Sequence, residues 1–342
     1  MTRPSWPALV ALLLGLLGSV ALGAVLLGLR RRRVALLDAP GPVDGVTTDD
    51  GLRLHVEEDG DPDAALTVVF SHGFTAQLGE FVLQRDTLRS RARLVLYDQR
   101  GHGRSPLGAP EHATMDQLGR DLAAVIAQRV PRGPVVLVGH SMGGMTLMSF
   151  ARQHPDVVRD RIVGAFLLAT SSGDLVTTGL PGAALRVGTR LHLVPLWLRS
   201  LRAAAPLLER RRRRGTRVGY HVVRRLLFGL DDAEPSMVRL VQHMLEDCPM
   251  TTTAAFYATF LGHDEASALP VLAQLPTTVL VGDADRLTPA SHSRRIAAAL
   301  GTDCRLVVVP GAGHSVNLTR QEVVDDALLE LLDRVGAQQR VA

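Results

Sequence analysis

Lysine is missing from the chain: all 38 basic side chains among its 342 residues are arginine. With heavy use of Ala, Gly, Val and Leu, that bias reads as a GC-rich coding background rather than as function. Cysteine is scarce as well. Cys248 and Cys304 cannot build a disulfide framework, and no CxxC pair marks a metal or redox site, which leaves one bridge or two inert thiols. Aromatic residues reach only 4% and no nucleic-acid-binding motif accompanies them, so nucleic-acid binding is not expected. No internal repeat is visible. What the chain does have is apolar mass: 46% hydrophobic residues against 21% charged excludes a disordered or collagen-like polymer. At roughly 150 residues per domain, the length fits one large domain or two smaller ones.

Part of that apolar mass sits at the start. From Ala8 to Leu29 no residue is charged, and Arg30, Arg31, Arg32 and Arg33 end the run abruptly. As a helix at about 1.5 Å per residue the stretch would span about 33 Å, enough to cross a hydrocarbon core of about 30 Å. Residues 1–33 are therefore expected to form a single membrane anchor with a basic stop. The alternative is a cleaved signal peptide with a small-residue site near Ala21, but the run is long for one and its charge follows it. Arginines concentrated after the run, against Arg3 alone before it, place the remaining chain on the cytoplasmic side if the helix is retained.

Residues 34–45 carry Pro40 and Pro42 and read as a linker. Beyond it, short uniformly apolar runs at Leu66–Phe70, Leu94–Tyr97, Val135–Val138, Ile162–Leu168, Thr278–Val281 and Leu306–Val309 read as strands. Helical patterns near 114–129, 142–153, 290–300 and 318–335 alternate with them. Such strands suit a mostly parallel sheet covered by helices on both faces, an α/β fold built from 46–172 and 264–342. Between them, 173–263 is mostly helix-like and broken by prolines, as expected of an inserted helical cap. The cap contains Arg210, Arg211, Arg212, Arg213 and Arg214 in succession. That run is either a solvated face or a surface for anionic lipid headgroups.

Chemistry is concentrated at a few motifs. GHSMGG (Gly139–Gly144) follows an apolar strand and precedes a helical pattern, the strand–turn–helix context in which G-x-S-x-G exposes a serine nucleophile, here Ser141. Serine needs a general base. His314, in PGAGHS after the final strand, can reach over the sheet, whereas His72, His102 and His140 are expected to shape the pocket or the turns. VGDADRLTP offers a carboxylate to orient the base; Asp285 is preferred, with Asp283 expected to cap its loop. The backbone N–H groups of Met142 and of Phe74, in SHGFTA after an early strand, are the candidate oxyanion donors.

Taken in order, HGF (72–74), DQRGHGRS (98–105), GHSMGG (139–144), GDADRLTP (282–289) and GAGH (311–314) resemble the α/β-hydrolase fold superfamily. GHSMGG and GDADRL look most like its monoacylglycerol-lipase and carboxylesterase branches. The resemblance implies Ser141 as nucleophile, Asp285 as acid, His314 as base, and Phe74 and Met142 as oxyanion donors. It assigns Asp98, Arg100 and Gly101 a supporting role. Serine at the nucleophile position excludes the branches that use aspartate there, the epoxide hydrolases and haloalkane dehalogenases. The expectation is a membrane-anchored serine hydrolase of hydrophobic, including lipid, esters that needs no cofactor and no metal. The alternatives are a cofactor-free perhydrolase or haloperoxidase, and a non-catalytic binding protein on the same fold.

Overall fold

The structure is a computed structural model, and it describes residues 44–175, 200, 203–205, 217–229 and 233–339. The apolar stretch 8–29, its arginine stop and the arginine run 210–214 lie outside the described residues. Among the described residues no helix is long and apolar enough to cross a membrane.

Eight strands form one sheet: β1 (Asp44–Thr47), β2 (Arg53–Asp59), β3 (Thr67–Ser71), β4 (Arg93–Tyr97), β5 (Val135–His140), β6 (Ile162–Leu168), β7 (Thr277–Gly282) and β8 (Cys304–Val309). Their order is β1-β2-β4-β3-β5-β6-β7-β8. From β4 to β8 every pairing is parallel, while β1 and β2 are antiparallel additions at one edge. All six strands read from apolar runs are present. β1 and β2 are new, and β1 takes up Asp44 and Gly45 from the stretch read as linker.

Side chains that alternate along each strand enter two separate cores. Val69, Val95 and Leu137 face one, while their neighbours Val68, Phe70, Leu94, Leu96, Val136 and Val138 face the other. Helices α1 (Val82–Leu88), α2 (Met115–Arg129) and α3 (Met142–Gln153) cover the sheet together with two C-terminal helices. α2 starts at an N-cap, Thr114, whose side chain accepts a hydrogen bond from the Gln117 N–H at 3.1 Å. It packs Leu122, Val125 and Ile126 beside Leu147 and Phe150 of α3 on the first face. Full burial of each such side chain contributes about 1.5–3 kcal/mol, which is why strands apolar on both faces must be sandwiched.

The stretch 173–263 contributes α4 (Arg217–Leu227), α5 (Pro235–Asp247) and α6 (Met250–Leu261). Val223, Phe228, Val238 and Met244 pack together, and Val82 and Leu83 of α1 and Leu318 close the cluster from the core side. Gly173 and Asp264 pair as an isolated bridge, so the chain leaves and re-enters the core at one place. The Glu265 N–H donates to the Ser172 carbonyl at 2.8 Å beside it. No disulfide joins Cys248 and Cys304, so the two-thiol alternative holds; burial pushes the Cys304 thiol up to about 11.

Two further helices, α7 (Ala290–Leu300) and α8 (Gln321–Gln339), flank opposite faces, with Ile296 in one core and Val324, Leu328 and Leu331 in the other. Parallel registry brings the strand ends to one edge. Ser71 lies opposite Gly139, His140 opposite Leu168, and Gly282 opposite Val309. The loops after β3, β5, β7 and β8 therefore meet outside the carboxyl ends of the strands, where open α/β sheets hold their ligands.

Candidate active site

Ser141 sits between the end of β5 and the first residue of α3 with φ 53° and ψ −115°. That left-handed conformation is costly for a residue with a Cβ and persists only where surrounding contacts over-determine it. Here they do. The Ser141 N–H donates to the Leu168 carbonyl at 2.9 Å, and its own carbonyl accepts the Thr170 hydroxyl at 2.7 Å and the Gly144 N–H at 3.0 Å. Gly143 lets α3 come close: a Cβ there would overlap the Ser71 carbonyl at the end of β3.

His314 and Asp285 meet directly. His314 Nδ1 donates to Asp285 Oδ2 at 2.8 Å, and both side chains are buried. The other carboxylate oxygen accepts the N–H groups of Leu287 and Thr288, at 2.8 and 3.0 Å. The Thr288 hydroxyl lies 2.8 Å from both Asp285 Oδ2 and the Ala169 carbonyl, two acceptors competing for its single proton. Burial works against the Asp285 charge, but the His314 charge and hydrogen bond, with the Thr288 contacts, outweigh it and hold this carboxyl below its ordinary value. Asp283 is used differently: its Oδ1 accepts the Gly311 N–H at 2.7 Å, tying the β7 loop to the β8 loop. Among the described residues the hydrogen bonds of the His314 ring go to Asp285 and Thr288, not to the Ser141 hydroxyl.

The N–H of Met142 opens α3, one of the helix-initiating N–H groups that have no partner within their own helix. The N–H of Phe74 lies in the turn after β3, where Thr75 also has a positive φ, 60°. Among the described residues neither N–H donates to a protein acceptor. Around this point the lining is apolar. Phe74 packs edge-on against Phe260 at 5.0 Å between centroids and tilts against Phe256 at 6.3 Å, both on α6. Met142, Met145, Leu107 and Leu175 complete the cluster.

The supporting motif behaves as the resemblance implies. Arg100 is fully buried and donates to both carboxylate oxygens of Asp121, at 2.6 and 2.7 Å, and to Asp50 at 3.0 and 3.1 Å. Asp98 accepts the N–H groups of Leu78 and Arg104. Asp49, Asp50 and Asp121 approach closely enough to suit a cation, but Arg100 and Arg120 already neutralise them. His72 donates through Nδ1 to the Gly73 carbonyl and accepts the Gln99 N–H at Nε2, so it shapes the turn.

Two residues at the site escape the sequence reading. Thr288 holds both the acid and the end of β6. Glu80, buried, accepts the Gly73 N–H at Oε2 and faces His140 Nδ1 with Oε1, each at 2.8 Å. Its signal was available: a lone carboxylate among the apolar residues Leu78, Phe81 and Val82.

Comparison with known proteins agrees with this fold. The chain is 26% identical over 270 residues to the dihydrolipoyllysine-residue acetyltransferase component of the acetoin cleaving system of Pseudomonas putida, covering 78% of this chain and 63% of that protein. It is 26% identical over 301 residues to the non-heme haloperoxidase of Rhodococcus erythropolis, covering 84% and 98%. Across the first curated relatives it matches, the chain spans between 41% and 63% of their length. A solved thermophilic esterase from Thermogutta terrifontis superposes with a TM-score of 0.67 at 26% identity, covering 85% of this chain and 98% of the esterase. Residues 67–321 match the family described as the alpha/beta hydrolase fold, and the chain belongs to that family.

Proposed function

We propose that the protein is a serine hydrolase that cleaves carboxylic esters through an acyl-enzyme. The observation that carries this reading is the pairing of His314 with a buried, multiply hydrogen-bonded Asp285 at the strand edge where Ser141 is held in a strained turn. In this mechanism Ser141 Oγ attacks the ester carbonyl while His314 Nε2 takes its proton. Asp285 keeps the proton of His314 on Nδ1 and stabilises the imidazolium that forms. The oxyanion of the tetrahedral intermediate is met by the N–H groups of Phe74 and Met142. Collapse expels the alcohol, protonated by His314, and water then releases the acyl group by the same steps in reverse.

The apolar cluster of Phe74, Met142, Met145, Phe256 and Phe260 supports a hydrophobic acyl group, lipid esters included. The stretch 8–29 supports a single-pass anchor with the catalytic domain on the cytoplasmic side, and Arg210–Arg214 a contact with anionic headgroups. A series of chromogenic esters of rising acyl length, run on wild type and Ser141→Ala, tests the reading. Hydrolysis that disappears with Ser141 is expected; no hydrolysis at any length, or hydrolysis that survives the substitution, overturns it. The second reading, a cofactor-free perhydrolase or haloperoxidase, is favoured by the likeness that spans 98% of the Rhodococcus haloperoxidase. Acid-dependent halogenation exceeding ester hydrolysis would select it.

A further inference from the structure

Three loops must keep their relative positions for this chemistry: the oxyanion loop after β3, the nucleophile turn after β5 and the base loop after β8. The nucleophile turn is held by the Leu168 carbonyl at the end of β6, and the base loop is tied to the loop after β7 through Asp283 and Ala284. We propose that Glu80 is a positioning residue for the reaction at Ser141, joining the oxyanion loop to the base loop through the ring of His140. The proposal rests on the serine-hydrolase reading for its kinetic part only.

The geometry is a continuous chain of contacts. Glu80 Oε2 accepts the Gly73 N–H at 2.8 Å, one residue before the Phe74 donor. Glu80 Oε1 lies 2.8 Å from His140 Nδ1, and His140 Nε2 lies 3.1 Å from the carbonyl oxygen of His314. The carbonyl of Glu80 itself accepts the Asn317 side-chain N–H at 2.9 Å, three residues beyond the base. His140 directly precedes Ser141, so the bridge passes through the nucleophile turn. Its ring also packs at a tilt of 46° against that of His314, with centroids 4.8 Å apart. Gly73 is fitted to the pair: a Cβ there would come within 3.1 Å of His140 Nδ1 and 3.4 Å of Glu80 Oε1.

Proton placement follows from the partners. A carbonyl oxygen only accepts, so His140 Nε2 carries hydrogen, and Glu80 Oε2 already accepts an N–H. One further proton must lie between Nδ1 and Oε1. Burial opposes charge on both groups, and their mutual attraction and hydrogen bond outweigh it, raising His140 and lowering Glu80 from their ordinary values. The pair is therefore imidazolium and carboxylate, with a donor at each end of the ring. The other ionisable groups facing it are His72 and His102 on one side and His314 and Asp285 on the other, with Asp98 behind His72. Losing the shared proton would set a nitrogen lone pair against a carboxylate and break the bridge.

Two readouts test this on the full chain. In protein labelled with ¹⁵N-histidine, the ring resonances lost in His140→Gln identify His140. Both its nitrogens should be protonated in wild type at pH 7 to 8, and only one in Glu80→Gln. A neutral His140 ring in wild type overturns the bridge whether or not the protein hydrolyses esters. The second readout is kcat and KM on a chromogenic ester, with active sites counted by fluorophosphonate titration so that unfolded protein does not enter. Glu80→Gln should lower kcat on the order of tenfold or more, since loop displacements of about 1 Å cost that much or more, with KM changed less than about twofold. Unchanged kcat overturns the positioning role. Should Glu80→Gln not fold, Glu80→Asp keeps the charge and shortens the reach, and the same split is expected of it. Wild type that neither hydrolyses nor labels would instead sink the serine-hydrolase reading.

Discussion

Asp285 receives the ring of His314 on one carboxylate oxygen and two backbone N–H groups on the other, so its orientation is set from both sides at once. An acid held this firmly fixes which nitrogen of the base carries hydrogen. Asp285→Asn offers an N–H where an acceptor is needed and favours the wrong tautomer. It should lower kcat/KM by about three to four orders of magnitude without unfolding the protein. Steady-state kinetics beside a thermal melt check this, and a loss below tenfold would remove Asp285 from the mechanism.

The strain at Ser141 makes a separate prediction about stability. Glycine adopts φ 53° and ψ −115° readily, whereas alanine does not. Ser141→Gly should be inactive yet more stable than Ser141→Ala by about 1 kcal/mol, the relief of strain being partly offset by the freer unfolded chain. Urea unfolding of the two variants decides it; equal midpoints would mean that the turn stores no strain.

His102 governs part of the response to acid. Burial, reinforced by the nearby charge of His72, pushes its ring down to about 3 from an ordinary 6.5. The folded ring stays neutral while the unfolded one takes up a proton, so the unfolded state binds more protons below 6.5. Stability therefore falls as pH drops through that window, by at most about 1.4 kcal/mol per pH unit from this group. His102→Gln should flatten the slope measured by urea unfolding between pH 6.5 and 4.5. A slope identical to wild type would remove His102 as its source.

Phe260, on the cap helix α6, faces the oxyanion loop, half-buried and in edge contact with Phe74. Removing its ring should open room for longer acyl groups while leaving the loops in place. Phe260→Ala is expected to raise the ratio of long-chain to short-chain kcat/KM by roughly tenfold, the scale set by one or two methylenes in an apolar pocket. A uniform loss across the series would mean that this face does not meet the acyl chain.

The six strands β3 to β8 and the meeting of Asp285 with His314 were legible because their signals are local. An apolar run buried on both faces and a glycine-flanked serine each fit within a few residues. β1 and β2 were not, since β2 (RLHVEED) places charged residues inside the sheet and partners them from elsewhere: Glu57 meets Arg85 at 2.6 Å, and Asp59 meets the same arginine. Glu80 escaped for a related reason. Its partners are Gly73, in the loop after β3, and His140, the last residue of β5, and the registry of β3 against β5 brings them together. Asp283 and Asp285, by contrast, could be separated in advance by their positions around one turn, and their contacts differ accordingly.

The bridge between Gly173 and Asp264 has a consequence for protein engineering. With its two ends clasped, the stretch leaves and re-enters the core at one fixed doorway, which marks the splice points for an exchange. Caps from other family members could be spliced there to change selectivity without redesigning the sheet. One condition limits the exchange. The Leu227 carbonyl accepts the Ser315 N–H at 2.8 Å, and Gly229 pairs with Ala312, so a transplanted cap must bring its own backbone to steady the loop that carries His314.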